Sequence, residues 1–328
     1  MHFLDGTEPG RDGLLALAER ALDLRGGAAP RRRDGLRLAA VFLNPSLRTR
    51  TSLEAACGML GIQSIVLQPG KDAWALELGQ GAVMDGLASE HVRDAVSVLG
   101  GYVDLLAVRS FAGLLDPEED RADRVLAAFV RHGGRPVINL ESARWHPLQG
   151  LADTATWLAH LGPDLAGKRL ALTWAPHSKA LPAAVANQVL LSAALAGMDV
   201  TVAHPEGFDL DPEVLDRAAA HAPVRVVHDQ AEGLAGAQVV VAKSWSGFSG
   251  YGRRAEEAAA RAALSGWQVT PDTLGVTDGA GFMHCLPVRR NVVVSDAVID
   301  SPSSWVQEEA NNRLWTALAV LEHLAAGL

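Results

Sequence analysis

The segment from Asn44 to Ser52 carries the densest set of groups that could bind an anion. It reads Asn44-Pro45-Ser46-Leu47-Arg48-Thr49-Arg50-Thr51-Ser52. An apolar run precedes it and a helical pattern follows, and a helix N-terminus offers free N–H groups and a positive dipole end. The guanidinium groups of Arg48 and Arg50 match phosphate oxygens. The segment therefore predicts phosphate binding; the alternative is an ordinary helix cap beside two solvated arginines.

Two further segments place polar groups after predicted strands. The first reads His146-Pro147-Leu148-Gln149. There, a histidine and a glutamine at a helix start can face one cleft, although a lone histidine would be interpreted as structural. The second reads His284-Cys285-Leu286-Pro287. Neighbouring side chains on a strand point to opposite faces, so Cys285 is interpreted as a lining residue and not as a nucleophile activated by His284.

Several common site types are absent from the sequence. No Gly-Lys-Ser/Thr follows a glycine-rich loop, and Gly79, Gly81 and Gly86 do not fit Gly-x-Gly-x-x-Gly. The two cysteines, Cys57 and Cys285, form no Cys-x-x-Cys pair. The sequence therefore predicts no Walker loop, dinucleotide loop, zinc ribbon or disulfide framework.

Size and charge limit the classes of function. The chain has 328 residues, a length typical of about two domains. Its net charge of −9 argues against duplex nucleic acid or an anionic membrane as the principal partner, while a small phosphorylated ligand fits. The uncharged stretch 180–198 contains polar residues and many alanines, so we interpret it as a buried helix rather than a membrane span. A cytoplasmic location is expected.

Short β-branched runs alternate with alanine-rich helical patterns along the chain. Strands are predicted at 36–43, 63–67, 103–108, 136–140, 169–173, 199–203, 224–227, 239–242 and 282–285. Helices are predicted near 12–25, 50–60, 89–100, 118–131, 150–161, 181–196, 211–221, 254–264 and 307–326. This alternation predicts an α/β fold of two doubly wound parallel-sheet domains with an active-site cleft between them. The expected domains are 1–145 and 146–306, and the helix at 307–328 is expected to pack back onto the first domain.

Together these motifs resemble the aspartate/ornithine carbamoyltransferase family. Ser46–Arg50 matches its Ser-x-Arg-Thr-Arg signature, and the segments that begin at His146 and His284 match two further motifs in order. The resemblance covers residues 36–320. It implies that Arg109, His146 and Thr49 are catalytic. It implies that carbamoyl phosphate is bound by Ser46, Leu47, Arg48, Thr49, Arg50, Trp74, Arg109, His146 and Gln149.

The second half resembles the N-acylornithine branch of that family. Ornithine enzymes carry an aspartate near Val239–Gly247 for the α-ammonium group, whereas this chain has Lys243 there. A cation at this position suits a substrate whose α-amino group is acylated and therefore uncharged. The implied acylornithine-binding residues are Glu141, Lys243, Cys285, Leu286, Arg289 and Ser89.

Two positions bear on the acyl group. Acetyl enzymes have Glu and succinyl enzymes Pro at the place of Ser89, and acetyl enzymes have Lys at the place of Val293. A neutral Ser89 removes the repulsion of an anionic tail, so N-succinyl-L-ornithine is the favoured substrate and N-acetyl-L-ornithine the alternative. A plain ornithine or aspartate enzyme and a non-catalytic paralogue are further alternatives.

The resemblance also implies the reaction and the assembly. The Nδ amine attacks carbamoyl phosphate, and acylcitrulline and phosphate form in arginine biosynthesis. No metal or cofactor is expected. The expected assembly is a homotrimer in which Trp74 reaches the neighbouring subunit's site.

Overall fold

The computed structural model describes residues 1–328 and shows an α/β protein with two parallel sheets. The strands are β1 (Arg37–Phe42), β2 (Gln63–Leu67), β3 (Leu76–Glu77), β4 (Glu90–His91), β5 (Leu105–Arg109), β6 (Val137–Glu141), β7 (Arg169–Trp174), β8 (Asp199–Ala203), β9 (Val224–Val227), β10 (Val239–Lys243) and β11 (Gly281–Met283). The helices are α1 (Gly10–Arg25), α2 (Leu47–Leu60), α3 (Val92–Tyr102), α4 (Pro117–Ala122), α5 (Arg124–His132), α6 (Pro147–Leu161), α7 (Ala184–Leu195), α8 (Pro212–Ala219), α9 (Gln230–Leu234), α10 (Arg254–Ala262), α11 (Pro271–Leu274), α12 (Asp296–Ile299) and α13 (Val306–Ala325).

The first sheet has the strand order β2-β1-β5-β6, and all its pairs are parallel. The chain winds outwards in both directions from the pair β1–β5. At such a switch point, the loops that leave the carboxyl ends of the strands diverge and open a crevice. The phosphate-binding segment follows β1, and Arg109 ends β5, so the fold delivers both to this crevice.

The second sheet has the order β11-β10-β7-β8-β9, again all parallel. Its switch point lies between β7 and β10. Lys243 is the last residue of β10, and it pairs with Trp174 at the end of β7. Each domain therefore has one crevice, and a ligand between the two domains can contact both.

Two long helices connect the domains. Helix α6 leaves the first sheet and is buried from Pro147 to Leu158. Helix α13 follows the second sheet but packs against α1, α2 and α6. Side chains of α13 therefore reach helices that are distant in sequence.

The predicted fold class and all nine predicted strands are confirmed, while the two-residue strands β3 and β4 were not predicted. The helix predicted at 118–131 is wrong as one element. It is divided into α4 and α5 because Asp123 has a φ of 43°, which a right-handed helix does not accommodate. Residues 180–198 contain the fully buried helix α7. None of the helices is long and apolar enough to cross a membrane.

Candidate functional site

The two crevices meet in one cavity of about 510 Å³ between the domains. It collects most of the predicted site residues, namely Ser46, Leu47, Arg48, Thr49, Arg109, Glu141, His146, Gln149, Lys243, Cys285, Leu286 and Arg289. It also contains side chains that the sequence did not single out, chiefly Arg313 and His177. The cavity lies where the fold argument places a ligand.

The N-terminus of α2 opens into this cavity. The Ser46 hydroxyl accepts a hydrogen bond from the Thr49 N–H group at 3.2 Å and so caps the helix. The N–H groups of Leu47 and Arg48 have no partner within the helix and remain available to an anion. Arg48 reaches across the cleft and donates to the carbonyl oxygen of Cys285 at 3.4 Å. Arg50 lies two positions after Arg48. Because an α-helix turns about 100° per residue, the side chain of Arg50 points away from that of Arg48.

Arg109 and Glu141 form a buried ion pair at the ends of two neighbouring strands. Arg109 Nη1 lies 2.6 Å from Glu141 Oε2. Burial lowers the pKa of Arg109, and Glu141 opposes that shift. His146 Nε2 lies 3.4 Å from the same carboxylate oxygen. Burial, followed by the charges of Arg313 and Arg109, lowers the pKa of His146 well below its usual value, so this imidazole is neutral at pH 7.

Arg313 of α13 joins three predicted residues. Its Nη1 donates to Gln149 Oε1 at 2.7 Å and approaches His146 Nε2 at 3.4 Å. Its Nη2 donates to Thr49 Oγ1 at 3.2 Å. Arg313 is only 4% exposed. No spacing signal in the sequence links position 313 to position 49, because the contact depends on how α13 returns to the first domain.

The second domain contributes a basic wall. Lys243 lies at the end of β10, and Arg289 lies in the loop after β11. Arg289 Nε donates to His177 Nε2 at 3.0 Å, while His177 Nδ1 lies 3.1 Å from the carbonyl oxygen of Lys179. Because Arg289 Nε can only donate, His177 Nε2 carries no proton and the ring is neutral; Nδ1 lies beside both the carbonyl oxygen and, at 3.0 Å, the N–H group of Lys179. Burial lowers the pKa of His177 and favours that neutral form.

The loop after β11 forms the wall that faces α2. His284 Nδ1 accepts from the Leu286 N–H group at 2.9 Å, and burial lowers the pKa of His284 to about 3. Burial raises the pKa of Cys285 to about 11, so its thiol stays protonated at neutral pH. A protonated thiol is a weak nucleophile, which fits a lining role for Cys285.

Three predicted residues lie outside the cavity. Arg50 instead pairs with Glu54 at 3.3 Å on the surface of α2. Trp74 is 60% exposed and donates to Glu90 Oε2 at 2.8 Å. Ser89 is exposed in the loop before β4. One chain therefore does not bring Trp74 and Ser89 to the site, whereas Arg50 lines an adjoining groove with Ser46 and Leu47.

Comparisons with known proteins fit this geometry. Residues 1–159 match the carbamoyl-P binding domain of aspartate/ornithine carbamoyltransferase, and residues 182–324 match its Asp/Orn binding domain. An N-acetylornithine carbamoyltransferase of Xanthomonas campestris is 41% identical over 98% of this chain and 97% of its own length. An N-succinylornithine carbamoyltransferase of Bacteroides fragilis is 39% identical over 89% of this chain and 88% of its own.

A solved structure of acetylornithine transcarbamylase with acetylcitrulline has a TM-score of 0.95 and 41% identity, and covers 99% of each chain. A variant N-acetyl-L-ornithine transcarbamylase with one glutamate replaced by serine matches with the same TM-score, identity and coverage, and it was solved with carbamoyl phosphate and N-succinyl-L-norvaline.

The parallel-sheet domains, the basic cleft and both domain matches show that the chain belongs to the aspartate/ornithine carbamoyltransferase family. Within it, the similarity over nearly the whole chain to enzymes of both acylornithine types places this carbamoyltransferase in the N-acylornithine branch.

Proposed function

We propose that this protein transfers the carbamoyl group of carbamoyl phosphate to the Nδ amine of N-succinyl-L-ornithine, giving N-succinyl-L-citrulline and phosphate in arginine biosynthesis in the cytoplasm. The charge of the cavity carries the proposal. One carboxylate faces five cationic side chains, which are Arg48, Arg109, Lys243, Arg289 and Arg313. Carbamoyl phosphate brings a phosphate dianion, and N-succinylornithine brings two carboxylates. An N-acetylornithine brings only one carboxylate, so it gains less from the same cationic lining.

Two neutral positions support the succinyl group. Val293 lines the cavity and is buried, whereas acetyl enzymes are expected to have a lysine there. Ser89 stands where they are expected to have a glutamate. The glutamate-to-serine variant noted above was solved with N-succinyl-L-norvaline, a succinylated amino acid. N-acetyl-L-ornithine is the second candidate, because relatives of both types match over most of the chain.

The proposed mechanism assigns one task to each wall of the cavity. The N-terminus of α2 and Arg48 hold the phosphate. The neutral Nδ amine attacks the carbonyl carbon, and negative charge then develops on the carbonyl oxygen. Arg109, Thr49 and His146 stabilise that charge, and Gln149 orients the carbamoyl amino group. The C–O bond to phosphate breaks, and the leaving phosphate takes the proton of the amine.

The acylornithine is held by the second domain. Lys243 and Arg289 bind its carboxylates, and Glu141 of the first domain, Leu286 and Cys285 line the same cavity. Positioning two substrates in one cleft supplies much of the rate enhancement, because the reaction becomes effectively unimolecular.

We also propose a homotrimer in which Trp74 and Ser89 complete a neighbouring subunit's site. The segment around Trp74 exposes apolar side chains that a monomer would leave in water, among them Val83, Met84 and Leu87. Leu47, beside the cavity, is 80% exposed. An active monomer in light scattering would refute the proposed trimer. A trimer whose Trp74→Ala variant keeps full activity would refute the role of Trp74.

The activity is tested by citrulline-type product formation from carbamoyl phosphate. N-succinyl-L-ornithine, N-acetyl-L-ornithine and L-ornithine are compared in parallel by kcat/KM. We expect the succinyl compound to be preferred over the acetyl compound and ornithine to be poor. A preference for the acetyl compound would refute the charge argument, and no amine-dependent phosphate release would refute the enzymatic role.

A further inference from the structure

Two buried carboxyl groups lie directly behind the cavity. Asp153 lies on α6, one turn after Gln149, and Glu309 lies on α13, one turn before Arg313. Both residues are 1% exposed. A carboxyl group at this depth is costly unless its oxygens are hydrogen bonded.

Their contacts converge on the Gln149 amide. Gln149 Nε2 donates to Asp153 Oδ1 at 2.8 Å and to Glu309 Oε1 at 2.9 Å. Gln149 Oε1 accepts from Arg313 at 2.7 Å. Both amide hydrogens are therefore engaged away from the cavity, and the oxygen is the atom of this amide that remains to accept a hydrogen bond from a ligand.

Glu309 also reaches the facing wall. Its Oε2 accepts from the His284 N–H group at 2.9 Å. His284 begins the segment His284–Pro287 that lines the cavity. One carboxyl group thus holds the amide on α6 and the loop after β11.

Burial favours the protonated form of both carboxyl groups. Asp153 Oδ2 is buried, and no N–H or O–H group of another residue donates to it. Burial, and then the neighbouring Asp153, raise the pKa of Glu309 well above its usual value, while burial also raises the pKa of Asp153. A proton on Glu309 that is donated to Asp153 satisfies both groups and leaves the pair with a single negative charge.

We propose that Asp153 and Glu309 are positioning residues that keep Gln149 Oε1 turned towards the amino group of carbamoyl phosphate and hold His284–Pro287 against the same site. This inference rests on the carbamoyl-phosphate site proposed above. Asp153 and Glu309 themselves contact no substrate in it, since neither lines the cavity.

The variant Glu309→Gln removes one of the two acceptors of the Gln149 amide. The introduced side chain has one oxygen where the carboxyl group of Glu309 has two, so it cannot accept from both Gln149 and His284. If it keeps the His284 contact, its NH₂ group faces the NH₂ group of Gln149. Gln149 then keeps only Asp153 as an acceptor and has a donor facing its NH₂ group, so its oxygen is held less firmly towards the ligand's amino group.

Acetyl phosphate isolates this effect because a methyl group replaces the amino group of carbamoyl phosphate. Both ligands are titrated calorimetrically into the full-length protein without acylornithine. In the Glu309→Gln variant, we expect carbamoyl phosphate to bind about tenfold more weakly, because its amino group loses an acceptor that is held in place. Acetyl phosphate should bind within about threefold of wild type, since it makes no hydrogen bond there.

Two variants control the test. Glu308→Gln makes the same substitution one residue earlier, where the side chain pairs with His160 and Arg25 at the surface, and it should keep the preference for carbamoyl phosphate. Asp153→Asn supplies an NH₂ donor to Glu309 in place of the shared proton, so it too should keep the preference. If Glu309→Gln does not fold, Asp153→Ala, which removes one of the two acceptors of Gln149, should weaken the preference by about three- to tenfold.

Each result decides one statement. Equal weakening of both ligands by Glu309→Gln would show a merely structural role and overturn the inference, as would an unchanged preference. If Asp153→Asn lowers the preference for carbamoyl phosphate as much as Glu309→Gln does, the two carboxyl groups do not share a proton. A wild-type protein that does not bind carbamoyl phosphate would refute the proposed function and, with it, this inference.

Discussion

The ion pair between Arg109 and Glu141 allows a quantitative test of the phosphate site. The perturbation is Glu141→Gln, which keeps the shape of the side chain and removes its charge. Removing one partner of a buried pair costs about 3–5 kcal/mol, because the other charge stays buried. The oxygen of the introduced amide can still accept from Arg109, and a hydrogen bond to a charged group restores about 1.5–3 kcal/mol. The expected net loss of unfolding free energy is about 2 kcal/mol.

Phosphate should reverse much of this loss. The anion supplies the counter-charge that Arg109 has lost, so it should bind the variant more tightly than the wild type. Tenfold tighter binding adds about 1.4 kcal/mol of stabilisation at the same excess of ligand. We therefore expect the variant to have the lower Tm without ligand and the larger increase in Tm with inorganic phosphate.

The assay is thermal unfolding of both proteins with and without a large excess of inorganic phosphate. Glu232→Gln is the matched control, because Glu232 pairs with the half-exposed Arg225 away from the cavity and exposed pairs contribute about 0–1 kcal/mol. An unchanged Tm in Glu141→Gln would show that Arg109 needs no counter-charge. An equal phosphate-induced increase in Tm in both proteins would show that the anion does not bind beside Arg109.

Three further predictions follow from the site. Arg48→Ala should weaken the binding of inorganic phosphate more than Arg50→Ala does, as measured by calorimetry. The reverse order would contradict the orientation of α2. Arg313→Met should lower kcat/KM about 100-fold, since a loss of about 3 kcal/mol is expected from its buried hydrogen bonds, and a change of less than threefold would contradict its place in the site. His284 has a pKa of about 3 in the folded protein and 6.5 in the unfolded chain, so the unfolded chain takes up the proton first as the pH falls. The free energy of unfolding therefore decreases below pH 6.5. Between pH 6.5 and pH 5.5, the free energy of unfolding measured with urea should fall by about 1 kcal/mol less in His284→Asn than in the wild type. Equal decreases would show that His284 is not held neutral in the folded protein.

The sequence predicted the parts of the site that depend on local structure. Ser46 to Thr49 follow a strand and open a helix, and Arg109 and Lys243 end strands, so each position follows from one strand–loop–helix unit. Parallel strands end at a common edge, and therefore local placement was enough to predict a shared cleft.

The missing parts depend on contacts between distant segments. Arg313 meets Thr49 across 264 positions, and Glu309 meets Gln149 across 160. Neither residue lies at a strand end or within a recognisable motif, and both belong to the polar run 307–313, which does not indicate which of its side chains are buried. The same limit applies to Trp74 and Ser89, whose proposed partners belong to another copy of the chain.

Helix α13 explains why one cleft can serve two domains. It follows the second sheet in the chain but packs on α1 and α2 of the first domain. Arg313 on this helix reaches the N-terminal turn of α2, and Glu309, one turn earlier, holds the backbone of the loop after β11. A shift of α13 would therefore move the phosphate side and the acylornithine side together. Coupling through one rigid helix keeps the two substrates in register, which is what a transfer between them requires.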